Sequence, residues 1–545
     1  MSADAGASRT QGDIATQSLA RPTAAMAVGT SLSRLTGLGR VAAMAFALGV
    51  AESRLADAYN LAGTLSLALY ELVLGGVLTS VFIPVLVEEL RTKSREEAWR
   101  AVSALVTAAL TVLVAVSLLA VAVAPLVMEL FTSRVPGAEV SAERDLATFF
   151  LRVFAPQIVL FGIAAIGAAL LNAHGRFAAP AFAPILNNLV VISAFLAFGL
   201  VVSGTPTEAS VESNTGQKLL LALGATGGVA AMAAVYWPFL RRLPGRVRAH
   251  IDFGHPAVRK LARLSGWTLL YVVTNTAGLA VSFYLATGVQ GGTTAYVTAF
   301  AFFQLPIGIA AVSVITALMP KLSALFVDAD ETGFRARTAG GIRMAGLLML
   351  PATAAYVILA EPLIETLLEH GIVRNASTEL VSSVLQMFAI GLLPFAIFLL
   401  MMRAFYARQD ARTPALINVV ENGVTIGLDF ALFPSLGVKG LALAHSLGYV
   451  AGCGLAVPLL ARRVGGLEAA ETLRELLKLA LAAGVAAAAM VGLSEAVVAL
   501  TDPGGVRSLL QLLAAGAGGG AVFLAAARVA GVRDLALFTR LLPGR

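Results

Sequence analysis

Fourteen times along this chain, a mainly apolar run of about twenty residues or more recurs between short clusters of charge. The runs lie near 23–50, 58–87, 101–131, 146–172, 180–203, 217–240, 261–288, 293–326, 338–360, 379–407, 414–433, 438–461, 476–500 and 507–530. Such a run is what a helix needs to cross the roughly 30 Å hydrocarbon layer of a bilayer. No water there can satisfy a free amide, so the chain must close its own hydrogen bonds. Only 13% of the residues are charged, against about 25% in soluble domains. The expected fold is therefore an all-α polytopic membrane protein with about fourteen spans. The single cysteine, Cys453, excludes an internal disulfide and a cysteine metal cluster.

The connections alternate in charge. One set holds RTKSREEAWR (91–100), HGR (174–176), RRLPGRVRAH (241–250), RKLAR (259–263), Arg335, Arg337 and Arg343, ARQDAR (407–412), ARR (461–463) and the basic C-terminal tail. The other holds AESRLAD (51–57), SGTPTEASVESN (203–214), GVQGGT (288–293) and EHGIVRN (369–375). Of the 39 Lys and Arg, 22 fall in the stretches of the first set and two, Arg54 and Arg374, in those of the second, which places the first set in the cytoplasm. The expected location is the plasma membrane, with both termini cytoplasmic. The net charge of +7 is thus a topology signal, with membrane lipids as local partners and no nucleic acid. The polar stretch 1–22 reads as a disordered tail and 533–545 as a second tail. The first apolar run reads as a retained span, not a cleaved signal.

Residues 172–188, NAHGRFAAPAFAPILNN, echo residues 406–422, YARQDARTPALINVVEN, at an offset of 234. FIPVL (82–86) echoes LMPKL (318–322) at 236. The echoes suggest two homologous halves, an N-lobe over 23–245 and a C-lobe over 255–465, with 470–532 as a two-helix appendage. Six crossings return a chain to its starting side, so the lobes are expected to be parallel and pseudo-symmetric around a central cavity.

The first run is anomalous. SLSRLTGLGRVAAMAFALGV (31–50) carries Arg34 and Arg40. If the span begins near Ala24, Arg34 sits about 15 Å along it, near mid-membrane. An arginine there costs roughly 2.5–3.5 kcal/mol on insertion scales. Either the two pair with intramembrane acids or carbonyls, or they face a wet cavity and await an anion. Six residues turn a helix by about 600°, so the two stand some 120° apart. The guanidinium fork suits phosphate oxygens. Among other intramembrane polar groups, Glu71 could balance either arginine, Asp57 lies at the outer end of the first hairpin, and Asn275 could line a cavity or bond a neighbouring helix. Glu421 and Asp429 receive no role. No phosphate-cradling loop or ligand-spaced histidines appear. The expectation is a carrier, with no enzyme activity, no metal and no cofactor.

SRLTGLGR (33–40), ADAYNLA (56–62), LGGVLTSVFIPVL (74–86), LLNAHGRFAAPAFAPILNN (170–188) and AFYARQDARTP (404–414) resemble the MurJ/MviN family. These are the lipid II flippases of the multidrug/oligosaccharidyl-lipid/polysaccharide exporter superfamily. The resemblance runs in order from about residue 25 to 460, and its motif residues include Asn172, Arg176, Pro180, Gln409, Asp410 and Pro414. It implies fourteen helices in two six-helix lobes plus two. It implies an undecaprenyl-diphosphate-linked peptidoglycan precursor as cargo, moved to the outer leaflet for cell-wall synthesis, with other cell-wall synthesis proteins as partners. Arg34 and Arg40 match its cationic cavity positions, as a diphosphate clamp, and Asp57 matches an acidic one. Two departures stand out. Tyr70 and Glu71 occupy the place of a usual basic pair, and Ala301, ahead of QLPIG (304–308), replaces a usual basic residue. The alternatives are a flippase for another polyprenyl-linked glycan and a cation-coupled multidrug exporter. Membrane potential or an ion could drive the cycle.

Overall fold

The computed structural model describes residues 28–75, 82–137, 139–202, 204–502, 504–533 and 535. The expected tail over 1–22 and most of the tail over 533–545 lie outside them. Every regular element among the described residues is helical. In chain order these are α1 (28–48), α2 (Leu55–Tyr70), α3 (Ile83–Thr92), α4 (Arg95–Phe131), α5 (Glu139–Ala173), α6 (Ala178–Val201), α7 (Glu208–Ser213), α8 (Thr215–Val235), α9 (Trp237–Leu240) and α10 (Pro256–Leu264). There follow α11 (Gly266–Ala286), α12 (Gly292–Pro306), α13 (Val312–Val327), α14 (Glu331–Leu368), α15 (Asn375–Ala389), α16 (Leu392–Ala407), α17 (Arg412–Leu436), α18 (Val438–Val464), α19 (Ala469–Leu500) and α20 (Gly505–Val529).

Eleven helices among the described residues are long and apolar enough to cross a membrane, and the bent pair α15 and α16 makes twelve. That pair turns through 49°. Pro394 has no amide to return to Ile390, so the ladder breaks there. The other two expected spans fall on α1 and on the stretch from α2 to α3. The middle of that stretch, 76–81, lies outside the described residues.

The chain divides into two compact units. The first draws on the described parts of 1–47, 61–129 and 142–269, and the second on 48–60, 130–141 and 270 onward. In the first, Trp99, Leu105, Leu113, Ile158 and Met232 share one buried core. In the second, Phe334, Phe398, Met401, Phe405 and Leu460 form another. There α19 and α20 pack on α14 through Leu347, Ala354, Leu479, Ala483 and Phe523.

The repeat read in the sequence extends to the backbone. After α5, the amide of Gly175 donates to Asn172 at 3.0 Å and that of Arg176 to Leu171 at 2.9 Å. After α16, Gln409 donates to Tyr406 at 2.9 Å and Asp410 to Phe405 at 3.0 Å, each 234 positions on. Both turns place one residue in the left-handed region, Gly175 at φ +72° and Gln409 at φ +59°. This is a helix C-cap that gives carbonyls of the last turn their amide donors. A non-glycine residue there carries strain. Pro180 and Pro414 then sit third in α6 and α17, where a missing amide leaves no bond unmade.

The second echo also has a counterpart. Residues Glu71–Gly75 and Ile307–Ala311 are both π-helical, and 307 − 71 and 311 − 75 each give 236. Single π turns inside longer helices often mark functional sites.

Candidate functional site

In α1 no residue from Thr30 to Arg40 is buried, whereas most residues from Val41 to Leu48 are. Arg34 and Arg40 thus sit on the open half of the helix, and both are exposed. Gly37, between them, faces the Asn188 amide of α6, whose nitrogen donates to the Ser33 carbonyl at 3.2 Å and to Thr36 Oγ1 at 3.0 Å. Neither guanidinium takes a hydrogen bond or ion pair among the described residues. Glu71, exposed at the start of its π turn, reaches neither arginine, so the expected charge balance within the first unit is not formed. Among the described residues, both guanidinium groups keep their donors for an incoming acceptor. The segment 23–27, expected to begin the span, lies outside the described residues.

Asp57 is wholly buried. It accepts hydrogen bonds from the Gly291 amide at 2.7 Å, the Thr294 amide at 2.9 Å and Thr294 Oγ1 at 2.8 Å. It therefore caps the N-terminus of α12, where free amides and the helix dipole favour a carboxylate. Around it, Arg54 donates to the Thr287 carbonyl at 3.1 Å and Asn60 to Thr294 Oγ1 at 3.2 Å. Glu52 accepts from the Arg374 amide and from Ser377 Oγ, each at 2.7 Å. This polar tie is why 48–60 belongs to the second unit. Sequence reasoning singled out Asp57 but missed Glu52 and Arg54, whose partners lie more than 230 residues away.

Asn275, on α11, accepts from the side-chain amides of Asn418 at 3.2 Å and Asn422 at 3.1 Å, both on α17. Of its two readings, the helix–helix bond is the one formed. Asn422 also donates to Glu421 Oε2 at 2.6 Å, and Ser282 donates to Asp429 Oδ2 at 2.7 Å. Gly278 lies directly over Asn422, as Gly37 lies over Asn188, so each unit seats the last asparagine of its repeat on a glycine. Glu421 and Asp429 are buried, with no basic partner among the described residues. Asp429 Oδ1 and Asn418 Oδ1 accept no hydrogen bond among the described residues. Buried acids at membrane depth are expensive and normally serve a function.

The remaining motif residues build the turns. Arg176 donates to the Phe239 and Arg242 carbonyls at 3.2 and 3.3 Å. Asn172 gives its carbonyl to the turn, while its side-chain oxygen is buried without a partner among the described residues. Asp410 accepts from the Thr413 amide at 3.0 Å and pairs with Arg463, which also donates to Thr413 Oγ1 at 2.8 Å. Partial burial opposes the charge of Asp410, but the Thr413 contacts and Arg463 outweigh it and hold the carboxyl below its usual range.

A many-spanned helical bundle with repeated motifs, and with two cations on its first helix that are unpaired among the described residues, has the architecture of a membrane carrier. The family model described as "Lipid II flippase MurJ" matches residues 44–512, and the chain belongs to that family. A probable lipid II flippase MurJ of Synechocystis sp. is 27% identical over 505 residues, covering 91% of each chain. The lipid II flippase MurJ of Burkholderia cenocepacia is 27% identical over 434 residues, covering 77% of this chain and 79% of the relative. Among solved structures, a lipid II flippase MurJ in an inward closed conformation superposes with a TM-score of 0.74 at 21% identity, covering 94% of this chain and 99% of that one. An inward-facing multidrug resistance MATE transporter superposes at 0.62 and 14% identity, over 80% and 95%. These two share the fold.

Proposed function

We propose that the chain flips a lipid-linked peptidoglycan precursor from the inner to the outer leaflet of the plasma membrane, with its termini in the cytoplasm. The observation that supports the mechanism is the pair of exposed guanidinium groups of Arg34 and Arg40 on the open half of α1, without a partner among the described residues. The cargo is a diphosphate between a sugar-peptide head and a prenyl tail. The head cannot cross hydrocarbon, and the tail need not leave it. Arg34 and Arg40 clamp the diphosphate by bidentate, charge-assisted bonds. Passage outward releases it, and the polar tie around Asp57 must break and re-form in each cycle.

Two forces can drive the return. Moving one charge across the membrane is worth about 2.3 kcal/mol per 100 mV, and an inside-negative potential draws an empty cationic site back toward the cytoplasm. The buried carboxyls Glu421 and Asp429 are the groups that would take up a proton or metal cation if an ion couples the cycle. Tyr70, Glu71 and Ala301, at positions where the family resemblance implies basic residues, leave fewer cations for the cargo.

Reconstitution in liposomes with labelled precursor tests the reading. Arg34→Ala and Arg40→Ala each lower the flipping rate at least tenfold, since a charge-assisted bond is worth about 1.5–3 kcal/mol. Arg34→Ala flipping at the normal rate would refute the clamp. Collapsing the potential without effect removes the electrical return alone. Glu421→Gln and Asp429→Asn abolish any ion dependence of the rate.

A further inference from the structure

The loop joining α9 to α10 carries a pattern that transport does not use. Over RVRAHIDF, residues 246, 248, 250 and 252 are polar and 247, 249, 251 and 253 apolar. A period of two belongs to an extended segment. Two hydrogen bonds lay it along α4. The Arg248 amide donates to Ser103 Oγ at 3.0 Å and the His250 amide to Thr107 Oγ1 at 3.1 Å. Four residues of helix rise about 6.0 Å, and two of extended chain advance about 6.6 Å. The loop therefore runs parallel to the helix in register. Just before it, Gly245 rests on the Trp99 indole so closely that any Cβ would overlap the ring.

Between loop and helix lies an open cleft of about 1000 Å³. Arg95, Arg100, Arg246, Arg248 and His250 line it, against one acid, Glu96. Four guanidinium groups minus one carboxylate leave three surplus positive charges. Among the described residues, no hydrogen bond or ion pair engages the side chains of Arg95, Arg246 or Arg248. The apolar row of the same loop is open as well, with Ile251 at 72% exposure and Phe253 at 50%. Exposed Trp237 precedes it, with Arg241 over its ring at 4.6 Å. Aromatic, aliphatic and basic groups in one short stretch are the composition of a membrane interface. α4 has 37 residues, about 55 Å, against a hydrocarbon layer of roughly 30 Å. Its surplus length lets the Arg95–Ser103 end stand in the headgroup layer.

We propose that this cleft seats the phosphate headgroup of an acidic phospholipid, with Val247, Ile251 and Phe253 turned toward its acyl chains. A soluble anion would have use for the arginines only. A lipid uses both faces of the loop. The site holds the membrane itself and is separate from the cargo clamp on α1.

The test is native mass spectrometry of the full chain, titrated with phosphatidylglycerol, phosphatidylcholine or inorganic phosphate. The wild type retains phosphatidylglycerol over phosphatidylcholine. R246Q/R248Q weakens that retention about tenfold or more, with an unchanged melting temperature. R246K/R248K, which keeps the charge, restores most of it. R337Q/R462Q, the same charge loss elsewhere on the basic side, leaves it intact. The proposal is overturned if R246Q/R248Q retains the lipid like wild type, if the control pair loses as much, or if millimolar inorganic phosphate displaces the lipid.

Discussion

Replacing Asp57 by asparagine isolates the polar tie at the start of α12. The carboxylate accepts three hydrogen bonds in a wholly buried setting, from two backbone amides and one hydroxyl. Asparagine has the same shape but one acceptor oxygen. Its amide nitrogen must then face a donor, the Gly291 or the Thr294 amide. One bond to a charged group is lost, worth about 1.5–3 kcal/mol, and one buried donor is left unmet. The carboxylate's own cost of burial offsets part of this. A net loss of about 2 kcal/mol corresponds to roughly a thirtyfold change in an equilibrium. The effect is local because the same residues hold only 48–60 against α12. Hydrogen–deuterium exchange of the full chain in detergent reads it directly. The Gly291 and Thr294 amides exchange about thirtyfold faster in Asp57→Asn, while those of α19 and α20 are unchanged. Asp57→Ala goes further, because both amides lose their acceptor. If both variants keep wild-type protection at Gly291 and Thr294, the cap does not hold this end of the molecule, and its role in the cycle falls with it.

Gln409 sits at φ +59°, so Gln409→Gly raises thermal stability by about 1 kcal/mol. Gly175→Val, at the equivalent turn, lowers it by at least as much; equal melting points for all three chains would show that the two turns carry no strain. Gly278→Ala drives a methyl into Asn422 Oδ1 and should cost about 1–3 kcal/mol, whereas Gly423→Ala, with open space around it, should cost little. Asp410 is held below its ordinary value of 3.8. Its contribution is therefore whole above that value and is lost as pH falls through the lower folded one. An acid titration monitored by near-ultraviolet circular dichroism should show a shallower loss for Asp410→Asn over that window; superimposable acid limbs would remove the Arg463–Asp410 pair from the account.

How the residues partition between sequence and structure follows from the range of the forces that act on them. The bilayer imposes a local rule, about twenty apolar residues per crossing, so the membrane class and the approximate number and place of the helices were legible along the chain. Duplication is also linear, and the offsets of 234 and 236 reappeared in the turn hydrogen bonds and the π segments. What Asp57, Glu71 and Asn275 touch was not legible. The partners of Asp57 and Asn275 stand more than 140 residues away, and hydropathy carries no term for which donor meets which acceptor. Glu71 looked like the counter-ion of Arg34 or Arg40 because all three are charges in apolar runs, yet no ion pair joins it to either. The sequence by itself determined that this chain crosses a membrane many times, that its motifs echo at offsets of 234 and 236, and that two arginines lie where lipid would be expected. Only the tertiary structure decided that those arginines are unpaired among the described residues, that Asp57 is a helix cap, and that Asn275 joins two helices, because hydrogen bonds act over about 3 Å and only folding brings such groups that close.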